Sequence, residues 1–547
     1  MASLTSQKVG VFDAVRSSPA TNRMDTHVKL IFSSLITVSL LVLSLSPALA
    51  ATRRVSIAYD GNEANDHSVY PHANYSGRYV AFSSFSSNLV SGDTNGIWDV
   101  FLRDTESGVT TRVNLAYDGS EAGYTYGGSL FPPSLSISAD GRYVAFDSDS
   151  TNLVKNDTNG NIDVFVRDTL LGATVRVSVA SDGSEANGGS FLPIISGSGR
   201  FVLFTSRASN LVAGDTNNAS DIFVHDMQTG ITERVSVASD GSQADSDSYF
   251  YDTERAISKD GRYVVFTSDA TNLVASDVNG QTDVFWHDRL TGKTELVSKA
   301  SDDIQSNDFS FYPSISDDGC RIAFESFASN LVKDDTNDSD DAFLRDRCTG
   351  TTARISLDGL GQQTRGAFEP EVSPDGRYGV FSPISSYRFG GDIAVRDLTT
   401  QETVRISNAS DGQAANSGSG HPTFSGDGKF VLFDSPASNL VAMDTNNKYD
   451  VFKARNNRAP LGNIGITWIP GAPADTSNKN RYKFIAMGAT DPDGTIVDYL
   501  WDFGDGQTAH GPTVVHAYQE ASTYLPTLTL VDDDGASTVK QTSVIAR

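Results

Sequence analysis

The chain has 547 residues, enough for three or four ordinary domains or for one repeat array with an added module. Hydrophobic residues make up 38% and charged residues 20%, which excludes a disordered chain and a polytopic membrane protein. With 42 Lys+Arg against 68 Asp+Glu, the formal charge is −26, which argues against a nucleic-acid partner and suits cation binding or an extracellular surface.

The first feature in chain order is the apolar run over residues 30–45. Lys29 precedes it and Ala48-Leu49-Ala50 follows it. A basic flank, a short apolar core and an A-x-A end make residues 1–50 a secretory signal peptide, with Met24 as an alternative start. The run is short for a membrane anchor, and no Cys follows Ala50 to take a lipid. The expectation is a secreted, periplasmic or cell-surface protein with no membrane span once the signal is removed.

Three strings then recur, interleaved in one order. G-[RK]-[YF]-[VG]-x-F or a close relative begins at Gly77, Gly141, Gly199, Gly261, Gly319, Gly376 and Gly428. Asp-[VIA]-[FA] begins at Asp99, Asp163, Asp221, Asp283, Asp341, Asp392 and Asp450. [RL]-[VI]-[SN] begins at Arg54, Arg112, Arg176, Arg234, Leu296, Arg354 and Arg405. Each is a short alternating or apolar run bounded by turn residues, and so reads as a β-strand. A fourth, innermost strand fits the apolar segment before each Gly, such as Leu135-Ser136-Ile137. Four strands repeated at about 60 residues predict a β-propeller with seven blades over residues 51–456. Arg54 has no earlier strand to join, and Asp450 has no following Arg-Val-Ser. The N-terminal strand is therefore expected to complete the last blade and latch the ring, removing a free edge.

At Asp140-Gly141-Arg142-Tyr143-Val144-Ala145-Phe146 and its copies, followed by Asp163-Val164-Phe165-Val166-Arg167-Asp168, the chain resembles the WD-like repeats of TolB-type propellers. After Pro460 the repeat stops. Asp491-Pro492-Asp493-Gly494, then Trp501-Asp502-Phe503-Gly504-Asp505-Gly506, His516-Ala517-Tyr518 and Thr523-Tyr524 resemble a PKD domain. That resemblance implies an immunoglobulin-like β-sandwich over residues 457–547, an adhesion or spacing module, with Trp501 in its core. Ala521-Ser522 stand where such domains usually carry a Gly. The fold class is all-β throughout, and the pairing of modules behind a signal peptide looks bacterial.

Strand order places two long connections of each blade on one face, where binding residues are expected. One of them carries Asp-x-Asn-x-x-x-Asp at Asp93/Asn95/Asp99, Asp157/Asn159/Asp163, Asp215/Asn217/Asp221, Asp277/Asn279/Asp283, Asp335/Asn337/Asp341 and Asp444/Asn446/Asp450. Hard cations take six to eight oxygens at ~2.3–2.6 Å, so calcium is one reading of these loops. Asx-turns closed by the side chains themselves are the other. Aromatic residues before the innermost strands, Tyr70, Tyr126, Phe131, Tyr251 and Tyr312 among them, are expected either to ring the channel mouth as ligand platforms or to wedge between blades. Cys320 starts one strand and Cys348 ends its antiparallel neighbour, so the two are expected to form a disulfide. His225 and His287 stand where other copies carry Arg. No nucleophile elbow, zinc-protease helix, phosphate loop or dinucleotide fingerprint is present. The expected function is a non-catalytic binding protein whose propeller face recognises a protein or glycan. The alternatives are a lyase or glycosidase acting at the channel mouth, and a calcium-stabilised surface adhesion protein.

Overall fold

The structure is a computed structural model, and it describes residues 52–123, 131–250, 255–384, 391–409, 412–456, 460–470, 480–491, 494–533 and 536–546. The signal peptide, Tyr126 and Tyr251 lie outside the described residues. Among the described residues no helix is long and apolar enough to cross a membrane.

Every repeat forms a four-stranded antiparallel sheet, and there are seven of them among the described residues. In the second sheet the strands run, from inside outwards, Leu135–Ile137, Tyr143–Ser148, Asp163–Asp168 and Ala173–Arg176. The three strings are thus the second strand, the third strand and the end of the outermost strand. Each sheet packs on the next, and the last packs on the first, giving a β-propeller arrangement. Arg53–Arg54 pairs with Asp450–Arg455, so the N-terminal strand is the outermost strand of the last sheet, as its unpaired position in the repeat order requires.

The repeated phenylalanines form the core between sheets. Phe82–Phe101, Phe146–Phe165, Phe204–Phe223, Phe266–Phe285, Phe324–Phe343 and Phe433–Phe452 pair across the second and third strands with ring centroids 5.7–6.0 Å apart. All of these rings are fully buried, and aromatic pairs at such distances add to the burial energy. In the sixth sheet Ala394 faces Phe381 instead.

The turn glycine is required twice over. Gly141 adopts φ +78°, and a Cβ there would meet Tyr79 Cδ2 of the preceding sheet at 2.6 Å. The aromatic that follows the turn in one sheet thus caps the turn of the next, except in the fifth sheet, where Arg321 lies against Gly376. Cys320 and Cys348 form the expected disulfide, with Cα atoms 5.3 Å apart.

Residues 461–545 form two antiparallel sheets, one of three strands and one of four, with a short two-stranded pair. Phe484, Trp501, Phe503, Tyr518, Leu528 and Leu530 form their common core. Trp501 is fully buried and its indole N–H donates to Gly511 O at 3.0 Å, which makes it a core residue.

Candidate functional site

The Asp-x-Asn-x-x-x-Asp loops fold back as the left-handed residue after each Asn suggests. Gly160 has φ +65°, and Asn159 Nδ2 donates to Asp163 Oδ2 at 2.8 Å. The facing group is an arginine. Arg176, the last residue of the outermost strand, places Nη1 3.0 Å from Asp157 and 3.1 Å from Asp163, and Nη2 on Glu185. Ser178, two residues on, donates to Asp163 Oδ1 at 2.6 Å. The Arg-Val-Ser and Asp-x-Asn-x-x-x-Asp strings are therefore two halves of one polar clasp.

The same clasp recurs with Arg112 on Asp93, Asp99 and Glu121, and with Arg234 on Asp215 and Asp221. It recurs again with Arg354 on Asp335 and Asp341, and with Arg54 on Glu63, Asp444 and Asp450. In the fourth sheet Leu296 replaces the arginine, and Gln305 Nε2 donates to Asp277 at 2.9 Å and to Asp283 at 2.8 Å.

The asparagines differ from the expectation that they ligate a cation. A ligand would offer its amide oxygen to the ion beside the aspartates. Each instead turns its amide nitrogen to the last aspartate of its own loop. Asn95 donates to Asp99 at 3.0 Å, Asn217 to Asp221 at 3.2 Å and Asn279 to Asp283 at 2.9 Å. Asn337 donates to Asp341 at 3.1 Å and Asn446 to Asp450 at 2.9 Å. The oxygens are engaged as well: Oδ1 of Asn159, Asn217, Asn279, Asn337 and Asn446 accepts the backbone N–H two residues on. That bond is the Asx-turn, the other reading of these loops. Asn95 Oδ1 is buried without such a donor among the described residues.

These donor sets do not fit a hard cation, because a guanidinium or an amide N–H already faces the carboxylates. No group of three or more His, Cys, Asp or Glu among the described residues is placed to hold a metal ion. Burial nonetheless outweighs the arginine at two of the first aspartates, pushing Asp93 and Asp444 up to about 6. At Glu121 burial also raises the carboxyl, but the bonds from Thr94 and Arg112 together outweigh it and hold it at about 2.

His225 and His287 are buried. Each places Nδ1 2.9 Å from a threonine hydroxyl on the outermost strand, Thr232 and Thr294. Arg103, Arg167, Arg345 and Arg396 donate to the matching threonines, so histidine and arginine serve one structural role.

The channel mouth on the long-loop face is built by a device the repeat strings do not contain. Tyr70, Leu192, Tyr312, Glu369 and His421 all adopt φ between +49° and +57° at the same place in their innermost strands. Each precedes a proline, and each sits where the strand register shifts. Proline cannot donate to the ladder, so the strand bulges there. Four of the freed N–H groups bond a carboxylate near the mouth: Tyr70 to Asp434, Leu192 to Asp147 and Glu369 to Glu325 at 3.1 Å, and His421 to Glu369 at 2.8 Å. An X-Pro pair inside five of the innermost strands was the signal available in the sequence.

The mouth has two unlike sides. On the first three sheets Trp98, Phe131, Ile162, Phe191 and Leu192 line a cavity of about 410 Å³ together with Asp147 and Asp149. Phe131 is 77% exposed, and Trp98 meets Phe85 edge-on at 5.7 Å. Of the expected aromatic platforms, Phe131 joins this cavity. Tyr70 instead packs edge-on against His421 at 4.4 Å, and Tyr312 against Phe311 at 5.6 Å.

On the last three sheets the mouth is acidic. His421 Nδ1 lies 2.8 Å from Asp434 Oδ2, and its Nε2 lies 3.7 Å from Glu369. Glu325 is 2% exposed. Burial and the neighbouring Asp340 and Glu369 push its carboxyl well above the usual range, and burial raises Asp340 as well. Deeper in the channel Arg255 Nε lies 3.5 Å from Glu371, and burial pushes His72 down to about 3.

Residues 469–546 match the PKD domain family. A collagenase, ColQ1 of Bacillus cereus, is 36% identical over 91 residues, 17% of this chain and 9% of that protein. The pre-pro-metalloprotease PrtV of Vibrio cholerae is 45% identical over 109 residues, 19% of this chain and 11% of that protein. The chain thus spans about a tenth of the length of these relatives. Among solved structures, the PKD1 domain of PrtV is 30% identical and 98% covered, across 16% of this chain, with a TM-score of 0.14. TolB from Acinetobacter baumannii is 16% identical, covers 62% of this chain and 63% of its own, and has a TM-score of 0.34. An oligogalacturonate lyase in complex with manganese is 12% identical, covers 75% and 98%, and has a TM-score of 0.44. The chain is therefore a β-propeller arrangement of four-stranded sheets followed, at residues 469–546, by a region that matches the PKD domain family.

Proposed function

We propose that the chain is a secreted, non-catalytic binding protein whose propeller recognises a glycan on its long-loop face. In this reading the seven sheets are the blades of one closed ring over residues 51–456, and residues 457–547 space or dock it. The observation that carries the reading is the cavity of about 410 Å³ with Trp98, Phe131 and Phe191 in its wall beside Asp147 and Asp149. Flat apolar rings take the C–H faces of a sugar, and carboxylates accept its hydroxyls. A glycan array probed with residues 51–547, followed by calorimetry of Trp98→Ala and Phe131→Ala, tests it. The expected result is a glycan whose affinity falls at least tenfold in both variants. Binding unchanged in both would refute the reading.

A second reading, an enzyme at the channel mouth, is favoured by the buried Glu325 carboxyl, pushed well above the usual range by burial and Asp340, together with the His421–Asp434 pair. A raised carboxyl and a carboxylate-oriented imidazole are the parts of acid–base chemistry. Turnover of a bound glycan that disappears in Glu325→Gln would establish it.

A further inference from the structure

From the acidic side of the same mouth we infer a subsite for a protonated primary amine, so that the glycan recognised here is one bearing a free amino sugar. This rests on the glycan reading above and names the class of sugar.

Two oxygens frame the subsite. Asp434 is fully buried; its Oδ2 is taken by His421 and by the Tyr70 N–H, while its Oδ1 has no hydrogen-bond partner among the described residues. Glu369 Oε2, which already accepts the His421 N–H at 2.8 Å and keeps room for a further donor, is the second. Both face the space left by the missing side chain of Gly420: a Cβ there would lie 3.8 Å from Asp434 Oδ1 and 4.0 Å from Glu369 Oε2. A buried carboxylate oxygen without a donor is costly, and it is aimed into a cradle that glycine keeps open.

The surroundings select the charge of the occupant. The ion pairs described for Glu369 and Asp434 are both with His421. In the clasps of this propeller, paired carboxylates face an internal arginine or glutamine. Here the described residues place neither between them. An ammonium group supplies the donor that Asp434 Oδ1 lacks and a second one for Glu369 Oε2, and it carries the charge that the chain, at −26, attracts. An N-acetyl group offers one N–H and no charge. A carboxylated sugar would be repelled.

The test uses residues 51–547 and two probes, the β-1,4-linked hexamers of glucosamine and of N-acetylglucosamine, titrated calorimetrically at two salt concentrations. The expected result is at least tenfold tighter binding of the glucosamine hexamer, with the preference shrinking at high salt. Glu369→Gln should reduce the preference about tenfold. Gly420→Ala removes no charge and meets its neighbours at ordinary contact distance, so it should fold and still lose most of the preference. That variant separates a fitted subsite from general attraction to an acidic surface. Thermal unfolding of both variants verifies the fold. Equal binding of the two hexamers, or a preference that survives Gly420→Ala, overturns the subsite and leaves the glycan reading standing. Binding of neither hexamer overturns the subsite, while a different hit on the glycan array would preserve the broader reading.

Discussion

The guanidinium of Arg54 lies 3.2 Å from Asp444, so the first strand of the propeller sequence is clasped by a loop of its last sheet. The contact repeats, between the two ends of the ring, the bond that Arg176 makes within a single sheet. Closure therefore uses the same chemistry as the blades themselves. Arg54→Ala should destabilise the propeller by about 3 kcal/mol or more, because Asp444 and Asp450 would stay buried without their cation. Arg405 in the sixth sheet meets Asp392 at 3.3 Å with its side chain 40% exposed. Arg405→Ala should cost about 1 kcal/mol or less. Urea unfolding of the two variants measures the contrast.

The clasps also set a pH dependence. Asp93 is pushed up to about 6 in the folded chain, against an ordinary value of 3.8. A folded-state value above the unfolded one means the native state holds the extra proton. The contribution is fully present below about pH 4 and is lost as pH rises through 6. Glu121, held at about 2 against 4.5, has the opposite sign: its contribution is present above 4.5 and lost as pH falls toward 2. The unfolding free energy of the wild type minus that of Asp93→Asn should therefore fall between pH 4 and 6. A difference constant across that window would place the Asp93 carboxyl at its ordinary value.

Calcium should not stabilise the propeller. A ligand that binds only the folded state raises the unfolding midpoint, and the paired aspartates already face Arg54, Arg112, Arg176, Arg234 and Arg354, or Gln305. Scanning calorimetry in EDTA and in millimolar calcium should give the same propeller transition within about 1 °C. A rise of several degrees would show that oxygens outside the clasps bind the ion.

The Cys320–Cys348 disulfide closes a loop with a sequence separation of 28 and should contribute about 3 kcal/mol. Cys320→Ser with Cys348→Ser should lower the midpoint by several degrees, and reductant should do the same to the wild type and nothing to the double variant.

The sheets were legible because their strings repeat. The Phe82–Phe101 pair and its copies sit at fixed places in two of the strings, and the unpaired Arg54 string foretold the latch. The clasp was missed because Arg176-Val177-Ser178 reads as a strand end, and a strand reading says nothing of where its arginine reaches. The acidic aspartates then invited an external cation, and the spacing of Asn159 from Asp163 does not say which end of the amide turns inward. The mouth was less legible still. Glu325 and Asp434 take a second-strand position where other sheets carry Ser83, Thr205, Thr267 and Ser382. The residues that differ between repeats build the site, whereas the repeat strings report what is shared. The prolines after Tyr70, Leu192, Tyr312, Glu369 and His421 were the one repeated clue to it.

Hydrogen–deuterium exchange of residues 51–547, with and without a glycan taken from the array, tests the central claim most directly. Binding at the long-loop face predicts slower exchange in the segments around Trp98, residues 131–135, 147–150 and 191–195, with little change at the tight turns on the opposite face. Protection confined to residues 469–546 would assign recognition to the PKD domain and contradict the account.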